Sequence, residues 1–219
     1  MPFEDLSREQ LQIALAAAYD AIAGCVAEIR RLETILVEFM ERDDALQARN
    51  VELEGMVGID FLTRLPNRYR IDEVVESEVA FARRYGVPLS VLFADVDHFK
   101  AINDEFGHDV GDAVLVELAK RSRETLRDYD EFGRHGGEEF LGVLRNNTLG
   151  QAAIAAERLR KAVADRPFDC AGHEIVVTIS IGVAEWHRPE LSAPLIQRAD
   201  AMMYRAKRMG RNRVVADER

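Results

Sequence analysis

Apolar residues near the N-terminus recur at alternating steps of three and four positions. This N-terminal seam comprises Leu15, Ala18, Ile22, Cys25, Ile29, Leu32, Leu36, Phe39, Asp43, Leu46, Asn50, Leu53 and Val57. Eleven of these thirteen positions are apolar, and no proline interrupts them. A 3.5-residue repeat of this length predicts a left-handed coiled coil. The alternative, an amphipathic helix packed on its own domain, stays open because the apolar face between Ile13 and Met40 is wide.

Two polar residues interrupt the N-terminal seam. If Leu15 occupies an a position of the heptad, Asp43 and Asn50 also fall at a. A polar residue there costs stability but favours one register, and asparagine favours two parallel strands. The seam therefore predicts a parallel homodimer.

From Asp60 onward the pattern changes to alternating strands and shorter helices. Helices are predicted at about 68–85, 98–105, 109–128, 150–165 and 192–209. Strands are predicted near 88–95, 130–135, 139–145, 174–184 and 212–216. This order implies an α+β fold with helices packed against one sheet. We expect residues 1–58 to form a helical stalk for dimerisation and signalling, and residues 59–219 to form the catalytic-sized domain.

Composition narrows the function classes. A chain of 219 residues with 47% hydrophobic content suits one well-cored domain and an extension. The net charge of -10 argues against a nucleic-acid surface, which needs a basic face. An acidic protein can still bind a nucleotide when a divalent metal supplies the local positive charge.

Cysteine usage and hydropathy bear on the compartment. Cys25 and Cys170 lie far apart and lack metal-ligand or disulfide spacing, which fits a reducing cytoplasm. The alanine-rich stretch 13–27 is interrupted by Asp20 and followed by charged residues, so neither a signal peptide nor a membrane span is predicted. We expect a soluble cytoplasmic protein.

Residues 136–140 read GGEEF and lie between two runs of β-forming residues. Two consecutive glycines suit a tight hairpin turn that needs positive φ, and their missing side chains let a ligand approach the backbone. The turn therefore predicts that Glu138 and Glu139 lie beside a slot that a phosphate chain could enter.

A second acidic position ends a strand. Residues 89–94 are nearly all apolar, which predicts a central strand, and Asp95 follows directly. An acid at the end of a buried strand is costly without a partner. If this strand lies beside the hairpin, Asp95, Glu138 and Glu139 together supply hard oxygen ligands for one or two Mg²⁺ ions. Each acid alone is more often a solvated surface residue.

Candidate nucleotide contacts flank these acids. Lys100 could meet phosphate, and Asn103 and Asp112 carry the amide and carboxylate that can read a guanine edge. Helix capping is the alternative for Asn103, and for Asp109 capping is the preferred interpretation.

The end of the last predicted helix is basic. Lys207 and Arg211 lie four residues apart and could hold one phosphate chain if the turn past Gly210 folds back. Compensation of the helix dipole is the alternative role for these cations.

Four stretches together carry a resemblance to a known family. They read FADVDHFKAINDEFGHDVGD (93–112), RHGGEEF (134–140), VTISIGVA (177–184) and ADAMMYRAKRMGRNR (199–213). In order and spacing the chain resembles the GGDEF family of diguanylate cyclases from about Asp60 to the C-terminus. The resemblance implies a central, mostly antiparallel sheet flanked by helices, like that of nucleotide cyclases and polymerase palms. It also implies a bacterial enzyme that condenses two GTP molecules into cyclic di-GMP and releases two pyrophosphates.

The resemblance also implies roles for individual residues. The catalytic residues would be Asp95, Glu138 and Glu139, which with the Val96 carbonyl would bind Mg²⁺ or Mn²⁺. GTP would be held by Lys100, Asn103, Asp112, Gly136, Gly137, Lys207 and Arg211. Product would bind an inhibitory site formed by Arg127, Asp130 and Arg158, the first two being the RxxD pair of the family. One departure is Arg64, which stands where DxLTGLxNR has glycine.

Dimerisation follows from the implied product. Because each domain would hold one GTP and the product has two-fold symmetry, two domains must face each other, and a parallel stalk would bring them together. Other interpretations stay open. They are a non-catalytic nucleotide receptor, a coiled-coil module with a passenger domain, and a small N-terminal sensor or the remainder of a truncated input domain.

Overall fold

The computed structural model describes residues 8–170 and 172–218. Its elements are α1 (Arg8–Val57), α2 (Arg68–Tyr85), β1 (Leu89–Val96), α3 (Phe99–Phe106), α4 (His108–Thr125), β2 (Glu131–Arg134), β3 (Glu139–Arg145), α5 (Leu149–Ala164), β4 (Phe168–Cys170), β5 (His173–Ile175), β6 (Ile179–Glu185), α6 (Ser192–Arg208) and β7 (Val214–Ala216). The chain divides into two compact units, Met1–Glu52 and Leu53–Arg219.

The second unit is built on one sheet with the strand order β2-β3-β1-β6-β7. Strand β1 pairs antiparallel with β3 on one side and with β6 on the other, while β6 and β7 run parallel. Every residue of β1 is buried. The predicted central strand is therefore confirmed. The sheet is mostly antiparallel, as predicted, and the parallel pair of β6 and β7 makes it a mixed sheet.

Helices cover both faces of the sheet because β1 alternates its apolar side chains between them. Leu92 and Ala94 belong to a core shared with α4 and α5. Val91 and Phe93 belong to a second core shared with α2 and α6. The sheet is thus the middle layer of three, and its edges and strand ends carry the polar chemistry.

Helix α6 crosses β6 at unusually short range. A Cβ added to Gly182 would lie 2.0 Å from the Ala199 carbonyl oxygen and 2.2 Å from the Met203 nitrogen. Only glycine leaves room for backbone to approach backbone this closely. This crossing sets where the last turn of α6, with its basic residues, meets the end of the sheet.

One predicted strand is wrong in its extent. Instead of a continuous strand at 174–184, β5 ends at Ile175 and β6 begins at Ile179. Strand β5 pairs with β4, a short strand that the sequence did not predict. The Thr178 carbonyl between the two strands accepts from the Asp97 backbone nitrogen at 2.9 Å. Alternation of apolar residues predicts extended backbone, but it cannot show a change of partner.

Helix α1 is confirmed as a helix, and the coiled coil remains a prediction. Its described seam side chains Leu15, Ile22, Ile29 and Phe39 are all more than half exposed. Asp43, Leu46, Asn50, Leu53 and Val57 belong to the predicted seam, but their side chains lie outside those that the structure describes.

The same helix bears on the expected absence of a membrane span. The segment Leu11–Val37 is long and apolar enough to cross a membrane by length and composition. Signal sequences and the core helices of soluble proteins meet the same criterion, so this finding is weak.

Candidate functional site at the GGEEF turn

The turn between β2 and β3 carries GGEEF. The backbone nitrogens of His135 and Gly136 both donate to the Glu139 carbonyl, at 2.9 and 3.2 Å. Neither Gly136 nor Gly137 has a positive φ, so the prediction that the turn needs positive φ at these glycines is wrong. A Cβ on Gly136 would instead lie 2.6 Å from Glu139 Oε2, whereas one on Gly137 would meet no described atom within 4 Å. Gly136 makes room for the Glu139 carboxylate, and Gly137 borders open space.

Two carboxylates face each other across the sheet at this turn. Asp95 on β1 and Glu139 on β3 are direct cross-strand partners. Like charges placed opposite each other destabilise a sheet unless a cation balances them. Lys207 Nζ lies 2.7 Å from Asp95 Oδ2 and supplies such a cation. The sequence prediction that Asp95 meets the hairpin is therefore confirmed in position.

Burial raises the pKa of Asp95 to about 6. The hydrogen bond and the charge of Lys207 oppose this rise, while the charges of Glu138 and Glu139 add to it. Burial also raises the pKa of Glu138, again opposed by Lys207 and increased by Glu139. These three carboxylates and one ammonium group therefore form one electrostatic unit.

The backbone of β1 also contacts the turn, since the Val96 nitrogen donates to the Glu138 carbonyl at 3.3 Å. Among residues 8–170 and 172–218, no three His, Cys, Asp or Glu side chains are already grouped as a metal centre. The donors themselves nonetheless fit Mg²⁺ or Mn²⁺, because they are carboxylate oxygens on adjacent strands. A divalent cation between Asp95 and Glu139 would offset the repulsion that their pairing creates.

Helix α3 carries the amide predicted to bind guanine. Asn103 lies inside α3, and Gly107 rather than Asp109 precedes the first residue of α4. Both capping interpretations are therefore wrong. The buried Oδ1 of Asn103 has no hydrogen-bond partner within the described part of the chain. This oxygen can therefore accept a hydrogen bond from a ligand.

Gly111 was missed in the sequence analysis. A Cβ at this residue would lie 1.9 Å from Asn103 Oδ1, so any other residue here would displace the Asn103 amide from its observed position. A glycine in the first turns of a helix, where alanine is favoured by propensity, was the available signal. Asp112 follows it directly and is exposed.

The cations predicted to bind phosphate lie on two elements. Lys100 is exposed in the first turn of α3, and Lys207 lies in the last turn of α6. The turn past Gly210 folds back, since the Arg211 nitrogen donates to the Ala206 carbonyl at 3.0 Å, so the condition set for Lys207 and Arg211 to share one phosphate chain is met. Arg211 itself is exposed, with φ of 62°.

Arg127, Asp130 and Arg158 line one cleft, as the predicted product site requires. The Arg127 nitrogen donates to Asp130 Oδ2 at 3.3 Å. Asp130 Oδ1 is buried without a partner among the described residues. Burial raises the pKa of Asp130, and the hydrogen bonds and charges of Arg127 and Arg145 oppose that rise. The cleft offers both guanidinium donors and a free carboxylate oxygen.

A salt bridge ties the GGEEF turn to the segment that begins the domain. Arg134 Nη1 lies 3.2 Å from Asp60 Oδ2, and its Nε and Nη2 donate to the Gly137 carbonyl at 3.1 and 2.7 Å. Asp60 Oδ1 also accepts from the Thr63 nitrogen at 2.7 Å. Arg134 thus connects the loop after α1 to the turn itself. No sequence pattern predicted this link.

Arg64 is strained in this loop. Its φ of 58° is left-handed, which explains why glycine is common at this position of the DxLTGLxNR pattern. Its backbone carbonyl accepts from Arg123 Nη2 at 2.5 Å, which helps to hold the conformation.

We expect Arg64→Gly to raise the free energy of unfolding by about 0.5–1 kcal/mol, because glycine tolerates this φ. Urea denaturation measures the change. Gly58→Ala is the matched reverse substitution, since its φ is 70° and its added Cβ would make only ordinary contacts. That variant should lose about 1 kcal/mol. A lower midpoint for Arg64→Gly would contradict the strain argument.

A family model described as the GGDEF domain of diguanylate cyclases matches residues 57–213. The chain belongs to the GGDEF family. The match lies within the second unit and includes the GGEEF turn, Asp95 and the Arg127–Asp130 pair.

Named relatives and solved structures agree with this assignment. Diguanylate cyclase DgcP from Pseudomonas aeruginosa is 40% identical over 187 residues, which cover 84% of this chain but 28% of DgcP. The active GGEEF domain of a diguanylate cyclase from Vibrio cholerae is 38% identical with a TM-score of 0.65, covering 70% of this chain and 97% of that domain. The coiled coil and GGDEF domain of DgcB from Caulobacter crescentus, in complex with c-di-GMP, is 29% identical with a TM-score of 0.71, covering 85% of this chain and 99% of that one.

Proposed function

We propose that this GGDEF protein is a diguanylate cyclase that condenses two GTP molecules into cyclic di-GMP and two pyrophosphates. The observation that carries the proposal is the cross-strand pair of Asp95 and Glu139 at the GGEEF turn, with Lys207 2.7 Å from Asp95. This arrangement concentrates negative charge beside a phosphate-binding cation, which is the setting that metal-assisted phosphoryl transfer requires. The similarity to DgcP and to the active GGEEF domain from Vibrio cholerae supports it.

GTP binding is divided between two parts of the site. Asn103 and Asp112 contact the guanine base, the amide through its free Oδ1 acceptor and the carboxylate through the N1 and 2-amino hydrogens. Lys100, Lys207 and Arg211 bind the triphosphate. The open space beside Gly137 lets the phosphates approach the backbone of the turn.

The first bond-forming step joins two GTP molecules. The 3′-oxygen of one bonds to the α-phosphorus of the other, and the bond from that phosphorus to the bridging oxygen of pyrophosphate breaks. Pyrophosphate leaves with the electron pair, and the proton of the 3′-hydroxyl passes to Glu138. In the second step the two nucleotides exchange roles within the linear product. The remaining 3′-oxygen bonds to the remaining α-phosphorus, the second pyrophosphate leaves, and the ring closes.

The metal ion, Mg²⁺ or Mn²⁺, is assigned to Asp95, Glu138, Glu139 and the Val96 carbonyl. When bound, it supplies positive charge to the reacting phosphate and to the leaving pyrophosphate. Lys207 orients Asp95 through its 2.7 Å contact, and Gly136 leaves room for Glu139.

The reaction needs two domains, since each holds one GTP and the product has two-fold symmetry. We propose a parallel homodimer held by a coiled coil of α1. The exposed apolar side chains along the N-terminal seam support this pairing, because they require a partner surface. The similarity to the coiled coil and GGDEF domain of DgcB supports it as well. The stalk would raise the local concentration of one domain at the other.

The test is nucleotide chromatography after incubation of the purified chain with GTP and Mg²⁺. Bound product is first removed with a cyclic di-GMP phosphodiesterase, which is then separated from the sample. We expect one cyclic di-GMP for every two pyrophosphates, and light scattering on the same sample should report a dimer. GTP binding without product would identify a receptor instead, and product from a monomeric stalk would exclude the coiled-coil arrangement.

Product inhibition is proposed for the cleft of Arg127, Asp130 and Arg158. We expect Arg127→Ala to raise the cyclic di-GMP concentration that halves the rate by at least about tenfold, because a charge-assisted contact to product is lost. The measurement is the ratio of initial rates with and without added product. Arg166→Ala, at an exposed arginine outside the cleft, is the control. Equal inhibition of the two variants would locate product elsewhere.

A further inference from the structure

Asp97, two residues after Asp95, is buried and uses its carboxylate entirely within the protein. Thr178 Oγ1 and Ser180 Oγ donate to it at 2.7 Å each. The Asn212 backbone nitrogen donates to Asp97 Oδ2 at 3.0 Å. The first two donors belong to β6 or the residue before it, whereas Asn212 belongs to the loop after α6. Asp97 therefore joins the central strands to that loop.

The loop of residues 210–213, the 210–213 loop, has an unusual backbone. Gly210, Arg211 and Asn212 have φ of 112°, 62° and 45°, which are consecutive left-handed values. Each such residue other than glycine is strained, so the conformation persists only where its surroundings enforce it. The loop places Arg211 beside the end of α6, where Lys207 contacts Asp95.

Asn212 is held at both its backbone and its side chain. Besides the bond from its nitrogen to Asp97, its Oδ1 accepts from Arg160 Nη1 on α5 at 2.5 Å. Arg160 is itself oriented by Glu157, with Nη2 to Oε1 at 2.8 Å. At the far end of the loop, the Arg213 carbonyl accepts from the Ile181 nitrogen at 2.9 Å. These contacts enforce the strained turn from two sides.

We propose that Asp97 is a positioning residue that pre-organises the 210–213 loop for the β- and γ-phosphates of GTP. The assignment rests on the proposed function, because Arg211 and Lys207 are the phosphate ligands in it. Asp95 orients Lys207, and Asp97 orients the segment that carries Arg211. Two aspartates at the end of β1 thus align two cations that lie four residues apart. Without Asp97, the ligand itself would have to order the loop when it binds. The free-energy cost of this ordering would weaken binding.

The experiment compares two ligands by calorimetry. One is α,β-methylene-GTP, in which a methylene group replaces the oxygen that leaves, and the other is GMP, which lacks the β- and γ-phosphates. We expect Asp97→Asn to weaken binding of the triphosphate analogue about tenfold and to change GMP binding less than twofold. Asp169→Asn, at an exposed aspartate on β4, is the control and should change neither.

A purely structural role for Asp97 predicts a different result. In that case Asp97→Asn would lower the thermal midpoint, and it would either weaken the binding of both ligands equally or change neither affinity. Either outcome overturns the proposal. If Asp97→Asn does not fold, Asn212→Ala at the exposed end of the contact removes the Arg160 bond and disfavours the left-handed backbone. It should reproduce the selective loss, and equal affinities for the wild type and this variant would overturn the proposal. Wild-type protein that binds neither ligand would instead refute GTP as the substrate.

Discussion

Replacing Glu139 with glutamine should reduce the rate of cyclic di-GMP formation by at least about a thousandfold while the protein stays folded. Glutamine keeps the shape of the side chain, so the contact with Gly136 and the strand pairing with Asp95 remain. It removes the negative charge from one of the two carboxylates that face each other across β1 and β3. The site would lose a metal ligand rather than its architecture. Chromatography of the nucleotides measures the rate, and the thermal midpoint reports the fold.

The control for this substitution is Glu174→Gln, on an exposed face of β5. It makes the same chemical change away from the GGEEF turn and should leave the rate within about twofold of wild type, as surface substitutions usually do. A Glu139→Gln protein that retains its full rate would refute the assignment of Glu139 to the metal. It would also leave Glu138 and Asp95 as the carboxylates to be tested next.

Replacing Gly182 with alanine should lower the free energy of unfolding by about 3 kcal/mol or more, or prevent soluble expression. The added Cβ would lie 2.0 Å from the Ala199 carbonyl oxygen and 2.2 Å from the Met203 nitrogen. Both atoms are backbone, so no change of rotamer relieves the overlap. Helix α6 would have to move away from β6, and Lys207 would move with it. Urea denaturation measures the loss.

Gly150→Ala on α5 is the matched control for this prediction. A Cβ there meets no described atom within 4 Å, and the residue lies near the start of the helix. Alanine favours a helix more than glycine does. The free energy of unfolding of Gly150→Ala should therefore increase, or decrease by no more than about 0.5 kcal/mol. A Gly182→Ala variant as stable as the control would show that α6 and β6 can separate without cost.

Several features were predictable because they depend on local chemistry. The helices at 68–85 and 192–209 differ from the observed bounds by at most one residue, since apolar periodicity and helix ends are local signals. The apolar run at 89–94 indicated a strand buried on both faces, and the acid that follows indicated a site. The GGEEF turn and Asp95 were both located from residue order.

Other features depend on side-chain contacts that the order of residues does not reveal. The break between β5 and β6 arises because the intervening Thr178 binds Asp97, a residue 81 positions away. Gly136 leaves room for the Glu139 carboxylate and does not have a positive φ. Gly111 leaves room for the Asn103 side chain, which the preceding helix α3 brings against it.

The sequence by itself determined the family, the order of the elements and which residue types carry the chemistry, because motifs and periodicity are properties of neighbouring residues. It also set the apolar seam of α1, whose partner remains a proposal. Only the tertiary structure decided that Asp95 pairs with Glu139 and Lys207, that Arg134 ties the turn to Asp60, and that Asp97 holds the 210–213 loop. These contacts join residues that are far apart along the chain, and their geometry exists only once both helical layers have packed on the sheet.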